Sequence, residues 1–105
     1  MEFKAETKDG VCEAVVEGEL TIYHVNDFRK NLEKAIKKAS TINLNLANVS
    51  EIDTSCFQLL MQAQNTCLEN DKEFKLTAVS QPIWEVMEIF GMERHFGNVE
   101  NVATN

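Results

Sequence analysis

The periodicities of this chain predict an α/β domain: a mixed β-sheet of four to five strands with helices packed against it. Three observations carry that expectation. An Asp-Gly turn, Lys8-Asp9-Gly10, joins two alternating segments; apolar residues recur at helical spacing from Val25; and alternating runs then separate one helical stretch from the next. The implied order is β-β-α-β-α-β-α, with the later strands parallel because right-handed crossovers join them. At 105 residues the chain has room for one real core and not for two, so residues 1–105 are read as a single domain.

The first two strands form a hairpin. Phe3-Lys4-Ala5-Glu6-Thr7 alternates weakly, Val11 to Glu17 alternates more clearly, and Gly18-Glu19-Leu20-Thr21 closes the second strand. In the next segment Val25, Phe28, Leu32, Ala35, Ile36 and Ala39 make one face of a three- to four-turn amphipathic helix. Thr41 to Leu46 is strand-like, with Ile42, Leu44 and Leu46 on one side, and Val49-Ser50-Glu51-Ile52 runs strand-like into Asp53-Thr54-Ser55. A second helix is expected from about Ser55 to Glu69. It is apolar around much of its circumference (Phe57, Leu59, Leu60, Met61, Ala63, Cys67, Leu68), which suits burial. Asn70-Asp71-Lys72 punctuates, Glu73 to Val79 alternates, and Ser80 caps a third helix with Pro82 in its first turn and Gly91 at its stop. Ile83, Val86, Met87 and Phe90 form its apolar face, while Trp84 lies off that stripe, where an exposed Trp would serve as an interface anchor. Met92 and Phe96 should tuck the tail onto the core, and Val99 to Asn105 should add a short edge element or fray.

Charge and cysteine usage exclude several function classes. Seventeen acidic against ten basic residues give a formal charge of −7, which argues against nucleic-acid binding. The Lys34 to Lys38 cluster sits late in the first helix, where cations complement the dipole. No stretch approaches the roughly 20 apolar residues of a membrane span, and Met1 to Glu6 has no signal-like apolar region, so a cytoplasmic protein without membrane insertion is expected. Cys12, Cys56 and Cys67 are odd in number and widely spaced, and read as reduced thiols used as small apolar residues. The helix start would lower the pKa of Cys56, but no His or second Cys lies near it in sequence to make it a nucleophile. His24 and His95 are lone histidines, read as surface or capping residues. With no phosphate loop, metal-ligand cluster or triad spacing, neither catalytic residues nor a metal or cofactor is expected.

The corner Asp53-Thr54-Ser55 is the most informative stretch. Each of its side chains can accept hydrogen bonds from unpaired N–H groups of a helix start, and a cap of that kind contributes about 1 kcal/mol.

Together with Gly18-Glu19-Leu20, Ile42 to Leu46 with Val49, and Phe90-Gly91-Met92, the run Ile52-Asp53-Thr54-Ser55 into Phe57-Gln58-Leu59-Leu60 resembles the STAS domains typified by bacterial anti-sigma-factor antagonists. The resemblance covers nearly the whole chain. Members of that family commonly read Asp-Ser-Ser-Gly or Asp-Thr-Ser-Gly at this corner, and the second hydroxyl residue is the usual phosphorylation site. The resemblance therefore implies Ser55 as phosphoacceptor, Asp53 as its acidic neighbour, and a partner surface of Thr21, Asp53, Thr54, Ser55 and Cys56. Two positions depart from the pattern: Cys56 replaces the usual Gly, with consequences for how closely a kinase approaches, and Thr21 stands where many members carry Asp. The implied activity is non-enzymatic. The unphosphorylated form would bind a serine protein kinase of anti-sigma type, phosphorylation would release it, and a serine phosphatase would reset the switch. The same resemblance leaves open an accessory subunit of a transporter ATPase, or a regulator of motility, biofilm or chemotaxis without a sigma factor. It does not fix the oligomeric state.

Overall fold

The computed structural model describes residues 1–97 and 99–102. Strands β1 (Glu2–Lys8) and β2 (Val11–Leu20) form the expected hairpin. Asp9 and Gly10 both sit at positive φ, 53° and 80°, the geometry of a two-residue turn whose twist matches the strands it joins. Then come α1 (Val25–Lys38), β3 (Thr41–Ile52), α2 (Thr54–Glu69), β4 (Glu73–Val79), α3 (Gln81–Ile89) and the two-residue β5 (Glu100–Asn101). The sheet order is β1-β2-β3-β4-β5, with β1 antiparallel to β2 and the other pairings parallel. This is the mixed α/β architecture expected, with the edge element after Val99 present as β5; residues 103–105 lie outside the described residues.

Register explains why one sheet face is core and the other is not. Cys12, Ile42 and Phe74 are neighbours across β2, β3 and β4, as are Ala14, Leu44 and Leu76, and all six are buried. One residue along, Glu13, Asn43 and Lys75 form a polar row on the opposite face, where Asn43 Nδ2 donates to Glu13 Oε1 at 2.8 Å. The buried rows are covered by Phe28 and Leu32 of α1, Phe57 and Leu60 of α2, and Ile83 and Met87 of α3.

β3 is one strand where alternation predicts Thr41–Leu46 and then a separate run at Val49–Ile52. The two are joined through bulges. Against β2, β3 carries an extra residue after Asn45 and another after Val49, so buried Leu46 is followed by buried Val49 three positions on. An alternation-based reading loses phase at such an insertion. The first bulge is held by Asn45 Oδ1, which accepts from Ala47 N at 2.9 Å. The second faces Gly18, whose φ of +92° admits the bend that aims Leu20 and Thr21 at the end of β3.

Two helices end in the same way. At α3, Met92 N donates to Met87 O and Gly91 N to Glu88 O, with Gly91 at φ +64°; at α2, Lys72 N donates to Cys67 O and Asp71 N to Leu68 O, with Asp71 at φ +56°. Both are Schellman endings that satisfy the last free carbonyls. The tail then turns back as expected: Phe96 is buried, edge-on to Phe57 (6.1 Å) and Phe74 (6.4 Å), and Gln64 Nε2 donates to His95 O.

Several expectations need correction. Leu68 is exposed, so α2 is buried along one face (Cys56, Phe57, Leu60, Ala63, Gln64, Cys67) rather than around its circumference. Phe90 lies past the end of α3 and is 52% exposed, with its ring stacked on buried Phe57 at 5.9 Å. Trp84 is half-buried against the core, so it is no free-standing anchor. Ser80 occupies the N-cap position of α3 without a side-chain cap hydrogen bond.

Candidate functional site

The ends of β2 and β3 lie side by side, Leu20 opposite Ile52, and each strand then turns away into its own helix. Without a tie, the two loops would diverge. Asp53 supplies two: its N–H donates to Leu20 O at 2.9 Å, and its Oδ2 accepts from Ile22 N at 2.8 Å. Asp53 stands at the N-cap position of α2 with extended backbone (φ −90°, ψ 156°), yet its side chain makes no cap hydrogen bond. Its carboxylate is committed to the neighbouring loop, which corrects the expectation of a simple cap. It still lies at the positive end of the helix dipole, and the first turn of α2 contains no other acid.

That tie shapes the β2–α1 loop. Thr21 is extended (φ −105°, ψ 175°) and leads into a single 3-10 turn, Ile22–His24, which alternation and helical spacing had left unassigned. His24 N donates to Thr21 O at 2.9 Å, and Thr21 Oγ1 lies 3.2 Å from His24 Nδ1. The same Thr21 carbonyl accepts from Cys56 Sγ at 3.5 Å, so α2 is fastened to this loop a second time. The turn leaves Ile22 62% and Tyr23 89% exposed. These two residues are the part of the site that sequence reasoning missed. The available signal was an apolar-aromatic pair lying between the end of a strand and the first position of a helical period.

The structure brings Thr21, Asp53, Thr54, Ser55 and Cys56 together, and places them differently. Thr54 is exposed on the first turn. Ser55 is half-buried, and its Oγ is shut off from solvent, with no partner beyond a weak contact to the Cys56 thiol. Cys56 is wholly buried, so it reaches a partner only through the Thr21 loop instead of altering the surface directly. Its thiol also titrates opposite to expectation. Burial pushes its pKa up, the adjacent Ser55 hydroxyl offsets part of that rise, and the Asp53 carboxylate adds to it. The apolar surroundings outweigh the helix start, which makes the thiol a poor nucleophile.

Among the described residues no group of three or more His, Cys, Asp or Glu side chains is placed to hold a metal ion, and no helix is long and apolar enough to cross a membrane. His24 is half-buried against Thr21, and exposed His95 lies edge-on to Phe96 at 5.1 Å.

The arrangement is similar to known proteins. The family model described as Mlab, STAS domain, matches residues 4–100. The anti-sigma-B factor antagonist of Staphylococcus aureus is 30% identical over 94 residues, which cover 89% of this chain and 87% of that protein. Two solved structures share the fold at 19% identity. One is a putative anti-sigma factor antagonist from Thermotoga maritima (TM-score 0.83; 95% of this chain, 87% of that one). The other is the Bacillus cell fate determinant SpoIIAA in its phosphorylated form (TM-score 0.75; 97% and 92%).

Proposed function

The chain belongs to the STAS-domain family, among the anti-sigma-factor antagonists, and from that premise we propose that it is a phosphorylation-controlled binding module whose switch is Ser55. One observation carries the proposal: the Asp53–Ile22 hydrogen bond holds the exposed Ile22–Tyr23 edge against the first turn of α2, where Ser55 and Thr54 lie. The unmodified protein then offers one continuous surface, part aromatic and apolar, part helix start, of the sort that anchors protein interfaces. The partner in this reading is a serine kinase of anti-sigma type, and a serine phosphatase restores the binding form.

A phosphate on Ser55 adds about −1.5 to −2 charge at neutral pH. The Ser55 Oγ sits in a closed site, so the phosphorylated side chain must rotate outward to solvent at the start of α2. There it meets the carboxylate of Asp53, a like charge, while the dipole of α2 partly offsets the added charge. The domain stays folded and the interface carries the cost. A loss of about 4 kcal/mol weakens binding roughly a thousandfold.

The test is phosphorylation by the cognate kinase with ATP, followed by mass spectrometry. One phosphate on Ser55, abolished by Ser55→Ala, is expected; label that persists on the alanine variant removes the site assignment. A second reading draws on the closed position of Ser55 Oγ: the same edge is a constitutive docking surface, as for an accessory subunit on a transporter ATPase. In that case Ser55→Ala and Ser55→Asp bind the partner equally well, whereas the switch requires Ser55→Asp to bind more weakly.

A further inference from the structure

Strand β1 is an open edge of the sheet: β2 pairs with one side of it, and no strand among the described residues pairs with the other. Lys8 and Val11 flank the two-residue turn as its closing hydrogen-bonded pair, so by alternation Glu6, Lys4 and Glu2 also bond to β2. Phe3, Ala5 and Thr7 therefore turn their N–H and C=O groups to the free edge. Their side chains point to the α1 face, where Phe3 is half-buried, tilted on Phe28 at 6.2 Å, while Ala5 and Thr7 stay exposed. The outer face carries Glu2, Lys4, Glu6 and Lys8, and β2 matches these charges badly. It sets Glu17 opposite Glu2 and Glu13 opposite Glu6, like charges that repel, and gives Lys4 and Lys8 only Val15 and Val11. Within the chain Lys4 reaches Glu2 along the strand, but at 3.8 Å with both side chains largely exposed, a contact worth little.

We propose that β1 pairs with β1 of a second copy of this chain, antiparallel about a twofold axis through Ala5, so that one sheet runs across a homodimer. In that register Glu2 lies opposite Lys8 of the second copy, Lys4 opposite Glu6, Phe3 opposite Thr7 and Ala5 opposite Ala5, and the symmetry repeats each pair. Every outer charge of the strand meets its opposite. Lys8 and Lys4 of the second copy come to flank the Glu2–Glu17 and Glu6–Glu13 repulsions that the hairpin leaves. The backbone agrees, since Phe3, Ala5 and Thr7 are the residues whose N–H and C=O groups face outward, and each of their pairs exchanges both hydrogen bonds. Other registers fail. An axis through Lys4 or Glu6 sets like charges opposite one another and meets backbone groups already turned to β2, and one through Phe3 or Thr7 pairs little more than half of the strand. On the inner face the pairs are uncharged. Lys34 and Lys38, which line the groove between α1 and β1, are both exposed, so their ammonium groups can turn to solvent. A single strand pair is small beside the surface that a permanent dimer buries, so the association is reversible. Ser55 and the Ile22–Tyr23 edge lie beyond the ends of β2 and β3 and not on the β1 edge, so each copy keeps its own partner surface.

The test is sedimentation equilibrium of the full chain from micromolar to millimolar concentration, with 15N-detected amide shifts over the same range. The mean mass should climb from 11.9 kDa towards twice that value, and the amides of Phe3, Ala5 and Thr7 should shift with concentration more than those of Lys4 and Glu6. Lys4→Glu with Lys8→Glu makes the outer row of β1 wholly acidic, and Glu2→Lys with Glu6→Lys makes it wholly basic. With the fold checked by circular dichroism, each double variant alone should dimerise at least tenfold more weakly than the wild type, and an equimolar mixture of the two should recover the dimer. Ala5→Pro removes an outward N–H without breaking a bond to β2, and should leave a folded monomer. A mass that stays at 11.9 kDa throughout would overturn the proposal and leave the edge to a strand of another protein. So would a dimer indifferent to all three variants, or a mixture that associates no better than its components. Ser55→Asp should dimerise as the wild type does, which separates failure of this edge from failure of the Ser55 switch; a dimer lost in that variant would move the contact to the start of α2 and refute the β1 pairing.

Discussion

Asp53 Oδ2 accepts the backbone N–H of Ile22 at 2.8 Å, across 31 residues of chain, and by that bond the loop after β2 becomes part of the surface at the start of α2. The acid of the Asp-Thr-Ser corner thus acts on a neighbouring loop, while its own helix start is left without a side-chain cap.

Removing that bond should loosen the loop more than the fold. Asp53→Ala is expected to cost about 1.5 kcal/mol, the low end for a hydrogen bond to a charged group because this one is exposed. Hydrogen exchange at the Ile22 amide should accelerate while amides of the β3 core stay protected. Unchanged exchange at Ile22 would show that the loop is held by other contacts.

Tyr23 provides the cleanest separation of binding from stability. At 89% exposure its truncation should alter unfolding free energy by no more than about 0.5 kcal/mol. Tyr23→Ala should weaken the anti-sigma-type partner by about 2 kcal/mol, near thirtyfold, as expected for an aromatic anchor. Wild-type affinity measured by calorimetry would remove Tyr23 from the interface.

Ser55→Ala, the variant that tests the proposed switch, should also stabilise the protein. The variant deletes a closed-off hydroxyl whose one contact is the weak one to the Cys56 thiol, a change worth about 1 kcal/mol. A lower urea midpoint in the variant would mean that the hydroxyl is satisfied in solution.

Alkaline pH should destabilise the fold through its buried thiols. Burial raises the pKa of Cys56 and of Cys67, the latter partly offset by Lys72. Below the ordinary thiol value of 9.0 both states hold the proton and the stability is intact. Above it the unfolded chain releases protons that the folded chain retains, so stability falls as pH rises through the folded pKa values. Urea midpoints from pH 7 to 10 should therefore drop more steeply for the wild type than for Cys56→Ala/Cys67→Ala, and parallel curves would contradict the shift.

At the end of α2, Asp71 holds φ +56° as a non-glycine residue. Asp71→Gly relieves that conformation at the cost of a more mobile unfolded chain, a net gain of about 0.5 kcal/mol. A thermal midpoint below that of the wild type would place a stabilising role on the Asp71 side chain.

Much of the architecture was legible because it rests on local signals. Asp9-Gly10 specified the hairpin, the Phe28–Leu32–Ala35 spacing specified α1, and Gly91 marked the end of α3. β3 was legible as two separate runs, Thr41–Leu46 and Val49–Ile52, since a bulge inserts a residue and throws the alternation out of phase. Phe90 was misread for a related reason: helical spacing continues on paper past the Schellman turn that ends the helix. At the site, the Asp53-Thr54-Ser55 corner stood out as hydroxyl and carboxyl groups at a helix start. The Ile22–Tyr23 edge did not, because two apolar residues in a three-residue turn carry no period.

By itself the sequence determined which residues could form a hairpin, helices and alternating strands, and that a serine would stand on the first turn of α2. These follow from interactions between residues a few positions apart, which the order of amino acids states directly. Only the tertiary structure decided what surrounds that serine. Whether Asp53 caps its own helix or holds Ile22, whether Cys56 faces solvent or Thr21, and whether Ser55 Oγ is open or closed all depend on the register of β2 against β3. That register is a long-range balance of strand pairing, bulges and core packing, and it brings together groups more than 30 residues apart whose chemistry is silent until they touch.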